Sequence, residues 1–254
     1  MSASEYATPP SAIRVFQGYR YPNLSPEQFL AELGNTFMPG TAYMLAPLGC
    51  AAYLPGVIAP EDPLLPNEFA LIVYPSTAVW EYASRTSLRG RVYTQTHSGV
   101  YDTSRSHAAF PVSIARFQPV APQPFWLFDA WVDWQSGSTV VVIAKKPPAQ
   151  SSADFNLGLR DRLLSQSSQA RATGVDQVIV LTDDAFAIAW IHVGAPADRV
   201  EQTAPGEALF DRAEIFTTVP VQRVICRSEP PTLTLTATSA FNYIFVRAAA
   251  MFLR

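Results

Sequence analysis

TVVVIAKKPPAQSSADFNLGLRDRLLSQSSQARATGVDQVIVLTDDAFAIAWIHVG (139–194) decides the fold. TVVVIAKK (139–146) is β-branched and apolar, and it reads as a strand. After a Ser-rich loop, Phe155, Leu159, Leu163 and Leu164 recur at helical spacing. They predict an amphipathic helix that starts near Asp154 and ends at Gly174. DQVIVLTDD and AFAIAWIHVG then read as two strands joined by a tight turn at Asp183-Asp184. Further on, EALFDRAEIF (207–216) reads as a helix, VQRVICRS (221–228) as a strand, and TLTLTATSAFNYIFVR (232–247) as one or two more. Strand, helix, strand, strand, helix, strand is the split βαβ, ferredoxin-like order.

The preceding stretch shows the same order. IRVFQGYRY (13–21) reads as a strand, broken by Pro22 and Asn23. Ser25 as N-cap, Pro26 at the first helical position and Gln28 two further on form a capping-box start. Phe29, Leu30, Leu33 and Phe37 give that helix an apolar face, and Pro39-Gly40 is expected to end it. LGCAAYLPGVI (48–58) reads as a strand with a break at Pro55-Gly56, and NEFALIVYP (67–75) as the next. A second helix is expected from Thr77 to about Arg89, with Trp80, Ala83 and Ser84 on one face. VYTQTHSGVYD (92–102) follows as a Tyr/Thr-rich extension, and FPVSIARF (110–117) and FWLFDAWVDW (125–134) read as strands. Pro111 to Arg116, before a Pro-rich link, matches Pro220 to Arg227, before Pro230-Pro231, which points to duplication. The expected architecture is therefore α+β: a flexible tail over 1–11, then two ferredoxin-like βαββαβ halves, 12–122 and 123–254, packed as an α+β barrel.

Composition bounds the function. Hydrophobic residues make up 48% of the 254, ample for a core, while charged residues are only 15%, below the usual figure of about 25%. So sparse a charge suggests surface covered by self-association, such as a homodimer, or by packing between halves. The net charge is −3 and Lys and Arg do not cluster, which argues against nucleic-acid binding. No apolar run reaches membrane-spanning length, and the first residues lack a signal-peptide core, so no membrane partner and a cytoplasmic location are expected. Cys50 and Cys226 sit in apolar runs and read as buried thiols. The chain has no GxGxxG, P-loop, GxSxG or HExxH pattern and no metal-type cysteine spacing.

WEYASRTSLRGRVYTQTHSGVYD (80–102), together with the order of elements, resembles the dimeric α+β barrel superfamily, which includes antibiotic-biosynthesis monooxygenase-like proteins. In such families an aromatic-rich helix leads toward a histidine near the second helix. The resemblance would extend over most of residues 12–250, as an internally fused dimer, and implies a pocket between sheet and helices in each half. Members include cofactor-free oxygenases, lactone isomerases, haem-degrading enzymes and proteins without known catalysis. No catalytic residue carries over from a family motif.

Histidine titrates nearest neutrality and is the natural base. His97 lies among Tyr93, Thr94, Thr96, Tyr101 and Asp102, a set that could orient a phenol or enol and remove a proton; the plainer reading is a hydrogen-bonded polar loop. Strand alternation puts Phe186, Ile188, Trp190 and His192 on one face, where Trp190 and His192 would border a ligand or serve as core. His107 reads as surface loop, and Asp129 and Asp133 share strand parity as a carboxylate pair or a solvent face. Arg85, Arg89 and Arg91 could meet an anion or simply be solvated.

Two functions follow from these residues. The first is an enzyme without a bound cofactor, an oxygenase, isomerase or cyclase of secondary metabolism, acting on a small hydrophobic or aromatic ligand. Its catalytic set would be His97, Tyr93, Tyr101 and Asp102, and its substrate-binding set Trp80, Arg91, Trp190 and His192. The alternative is a non-catalytic module for small-molecule binding or protein assembly.

Overall fold

A computed structural model describes residues 12–58, 62–130, 132–194 and 215–220. The protein is α+β, with two sheets. The described residues divide into two compact units: 16–58 with 66–107, and 12–15 with 62–65, 108–130, 132–194 and 215–220.

The first sheet contains β1 (Ala12–Gly18), β2 (Ala52–Val57), β3 (Glu68–Tyr74) and β4 (His107–Ala109), in the order β2-β3-β1-β4. Helix α1 (Pro26–Glu32) starts at the expected capping box: the Ser25 hydroxyl accepts from Gln28 N, and Gln28 Oε1 accepts from Ser25 N. Such a cap is worth about 1 kcal/mol.

Pro39-Gly40 does not end this helix. A π turn over Leu33–Phe37 intervenes, and α2 (Met38–Leu45) continues through the proline. Met38 N bonds back five residues to Leu33 O, so the widened turn accommodates a ring and a missing donor that a regular helix would not. Pro55-Gly56 likewise does not break β2. β2 is an edge strand, where proline is tolerated, and Gly56 leaves room for the Phe69 ring across the pair: a Cβ there would sit 2.1 Å from it.

The second helical stretch is longer than expected and divided. α3 (Thr77–Glu81) runs into a π turn, Tyr82–Thr86, and Ser87 turns extended to cap α4 (Leu88–Thr96). The first part of the expected extension, 92–96, is thus helix, followed by a tight turn over His97–Gly99.

The second sheet contains β5 (Val112–Ser113), β6 (Gln123–Trp126), β7 (Ser138–Lys145), β8 (Val175–Thr182), β9 (Phe186–Val193) and β10 (Ile215–Pro220), in the order β10-β7-β9-β8-β6-β5. α5 (Ser152–Ala172) connects β7 to β8. It starts earlier than expected because Ser151 caps it, accepting from Asp154 N at 3.1 Å. Gly174, at φ 90°, turns the chain into β8. Phe155, Leu159, Leu163 and Ala170 of α5 pack with Val142, Ala144, Val178, Val180, Ala187, Ala189 and Ile191. The register places these strand residues on one face. The other face, with Phe186, Ile188, Trp190 and His192, is buried too.

The first four strands and the four strands β7 to β10 each follow the ferredoxin-like order, fourth-first-third-second. Several expected strands are shorter. FPVSIARF yields only β5 before a 3-10 turn, and FWLFDAWVDW yields only the end of β6. Asp129 and Asp133 consequently lie on exposed loop, outside any strand, and their parity argument does not hold. Ile215 and Phe216 are strand rather than the end of a helix. The tail over 1–11, the rest of the expected helix over 207–214, the strands beyond 220 and Cys226 lie outside the described residues. Cys50 is buried, and its thiol donates to Ala52 O at 3.5 Å.

Candidate functional site

His97 caps the C-terminus of α4, and its position follows from the local sequence. The turn after Thr96 brings the imidazole back over the last helical carbonyls, with Nδ1 3.2 Å from Tyr93 O and 3.1 Å from Thr94 O. Both partners are acceptors only, so Nδ1 carries the proton and donates, and Nε2 is left with its lone pair. Four rings surround the imidazole: Phe37 at 5.0 Å, Tyr93 at 4.9 Å, Tyr101 at 5.7 Å and Phe16 at 6.0 Å between centroids. Loss of water there holds the His97 pKa below its ordinary value, the two carbonyl contacts partly opposing the shift. His97 is neutral at pH 7.

The remaining cage members come from several elements of this unit. Phe37 sits at the end of the π turn, which projects its ring onto His97, Tyr93 and Tyr101. Thr41 of α2 gives its proton to Phe37 O at 2.8 Å, so the Tyr93 hydroxyl donates to Thr41 Oγ1 at 2.9 Å. Tyr101 lies just past the His97 turn and bridges to Arg20 beyond β1. Its ring rests on the β1 backbone at Gly18, where a Cβ would meet it at 2.7 Å.

Glu68 is the site's unforeseen member. It opens β3, is fully buried, and has both carboxylate oxygens occupied by phenols. Tyr53 donates to Oε1 at 2.5 Å and Tyr101 donates to Oε2. Burial raises its pKa to about 7, against the two hydrogen bonds that lower it. Burial also raises Tyr53, Tyr93 and Tyr101 well above the ordinary phenol value, so all three stay protonated. A signal was present in the sequence. Glu68 shares strand parity with Tyr74, in a run that is otherwise apolar and has no basic residue to pair with.

Tyr93, His97 and Tyr101 thus come together. Asp102 does not orient His97: its Oδ1 accepts from Ser104 N at 3.0 Å and Ser104 Oγ at 2.5 Å, bonds that lower its pKa. Trp80 lies under the Arg85 guanidinium, 5.1 Å from its ring centroid, and Arg91 is exposed. Trp190 and His192 belong to the other unit, both buried on β9. His192 Nε2 lies 3.0 Å from Ser136 O, its Nδ1 lies 3.4 Å from Asp176 Oδ2, and Trp134 meets its ring edge-on. His107 is exposed at the start of β4. Among the described residues no three His, Cys, Asp or Glu side chains gather as metal ligands, and no helix is long and apolar enough to cross a membrane.

No family model matches the chain, and no curated protein matches it. Two solved structures are similar in fold, each provisionally described as a monooxygenase. One, from Fusobacterium nucleatum subsp. nucleatum ATCC 25586, is 8% identical over 85% of this chain and 93% of its own, with a TM-score of 0.46. The other, from Lactobacillus acidophilus NCFM, is 10% identical over 84% of this chain and 93% of its own, with a TM-score of 0.42.

Proposed function

We propose that the protein is a cofactor-independent enzyme that acts on a small hydrophobic or aromatic metabolite by general-base proton transfer, as an oxygenase, isomerase or cyclase. The observation that carries this reading is the state of His97. Its Nδ1 lies within hydrogen-bond distance of two backbone carbonyls, acceptors that place the proton on Nδ1 and leave Nε2 as the acceptor. A neutral imidazole among four aromatic rings suits abstraction of a phenolic or enolic proton from a flat apolar molecule, whose ring would find edge-to-face partners there. Tyr93 and Tyr101, held as phenols, would supply the polar contacts that orient such a substrate.

The wider architecture belongs to the same proposal. The two sets of strands in one topological order support a tandem of βαββαβ halves, 12–122 and 123–254, that close as an α+β barrel.

The test is a turnover screen of the full chain against polycyclic phenols and quinols, read by oxygen uptake and product mass. Wild-type protein should convert at least one, and His97→Ala should lower kcat/KM by about 10²–10⁴-fold, the usual contribution of a positioned base. Turnover unchanged in His97→Ala would overturn the assignment of the base. Compounds bound and returned unaltered would favour the binding module instead.

A further inference from the structure

We propose that Glu68 is a second proton acceptor of this site, working through the Tyr101 hydroxyl, so that the cage holds two bases and can take a proton at one position and return it at another. The proposal rests on the reading of His97 as a base.

Geometry carries it. Tyr101 belongs to both parts of the arrangement: its ring is a wall of the His97 cage, and its hydroxyl donates to Glu68 Oε2. The second carboxylate oxygen is held by Tyr53, 2.5 Å away, which fixes the carboxyl plane and keeps Oε2 aimed at Tyr101. Tyr53 comes from β2, Glu68 from β3 and Tyr101 from the segment just past the turn after α4, so three separate parts of the chain hold the group in place. Near it lie Tyr93, whose hydroxyl is bound to Thr41, and the buried Cys50 thiol and Tyr74, which bear on Tyr93. The causes of the Glu68 shift are burial, Tyr101 and Tyr53, with no cation among them. A carboxyl enclosed this way is poised between its two protonation states close to neutral pH, the condition under which a base works best.

The step balances without any redox partner. A substrate hydroxyl at the Tyr101 oxygen transfers its proton there as the original Tyr101 O–H bond breaks toward Glu68. One O–H bond is lost at the substrate, one forms on Glu68 Oε2, and Tyr101 ends as the neutral phenol it began as. The His97 Nε2 acts separately on a second position of the same substrate. One acceptor in the cage would serve simple deprotonation, whereas two serve proton transfer between positions, which selects isomerisation of hydroxylated aromatic or enolic compounds from the reactions above.

Two measurements on the full chain test this. Infrared difference spectra across neutral pH read the carboxyl itself. They should show one buried carboxyl titrating at about pH 7, absent from Glu68→Gln and displaced upward in Tyr101→Phe, which loses a bond that holds the pKa down. No titration in that interval, or its survival in Glu68→Gln, overturns the proposal whatever the enzyme turns over. The second measurement is the pH profile of kcat/KM with the substrate found in the screen. Wild type should gain activity as Glu68 ionises, and Glu68→Gln should lose that limb with KM little changed. A limb kept in Glu68→Gln overturns the relay and leaves His97 as the base. No conversion of any compound by the wild type overturns the His97 reading and the relay's catalytic role together, while the infrared result still decides whether Glu68 holds a proton.

Discussion

Glu68 and His97 both touch Tyr101, one at its hydroxyl and one at its ring, and burial moves their pKa values in opposite directions. Loss of water disfavours whichever form is charged, so it raises the carboxylic acid and lowers the imidazole. The result at neutral pH is an uncharged histidine at the Tyr101 ring and, at the Tyr101 hydroxyl, a carboxyl close to its midpoint. Gly18 is what lets this assembly close. Its missing side chain admits the Tyr101 ring against β1, and a Cβ would lie 2.7 Å from both the Phe16 and Tyr101 rings. Gly18→Ala should therefore destabilise the protein by about 1–3 kcal/mol, as overpacking does, and weaken the Tyr101–Glu68 bond. Chemical denaturation reads the first effect, and a raised Glu68 midpoint reads the second. The sequence drew attention to His97, Tyr93 and Tyr101 because they crowd into one short stretch. Glu68 lay hidden because its partners, Tyr53 and Tyr101, are distant in sequence and only the sheet brings them together.

At the scale of elements, what the sequence made legible was whatever depends on local chemistry. The Ser25 capping box, Phe155, Leu159 and Leu163 of α5 and the Asp183-Asp184 turn stand where spacing put them, whereas Leu164, expected on the same stripe, is exposed. Proline and glycine misled where tertiary setting overrides local preference: Pro39 enters a helix behind a π turn, and Pro55 lies in an edge strand. Gly90 is a further case. A Cβ on it would fall 1.5 Å from Ala83 O, so the packing of α4 against the preceding π turn requires glycine. Gly90→Ala should cost well above the ~1 kcal/mol that the same exchange gains in a free helix. Ser151→Ala, by contrast, removes only the α5 cap and should cost about 1 kcal/mol. Thermal melts of the two variants should separate clearly, with Gly90→Ala much the lower.

For the whole molecule, Glu68 and His97 shape the pH dependence of stability. Glu68 has a folded pKa of about 7 against an ordinary 4.5, so its contribution is fully present below pH 4.5 and is lost as pH rises through 7. A shift of that size corresponds to about 3 kcal/mol. His97 has a lowered folded pKa, so its contribution is present above its ordinary value of 6.5 and is lost as pH falls below it. Glu68→Gln should flatten the alkaline side of the curve, and His97→Gln the acid side, in denaturant titrations taken at several pH values. The strand order, legible from alternating strand and helix patterns, sets this interior between the first sheet and its helices. The most direct test of the account is the tautomer of His97, read at neutral pH by long-range proton–nitrogen NMR with His97→Gln as the assignment control. The account predicts a neutral ring with the proton on Nδ1 and a bare Nε2; a proton on Nε2, or on both nitrogens, would contradict it.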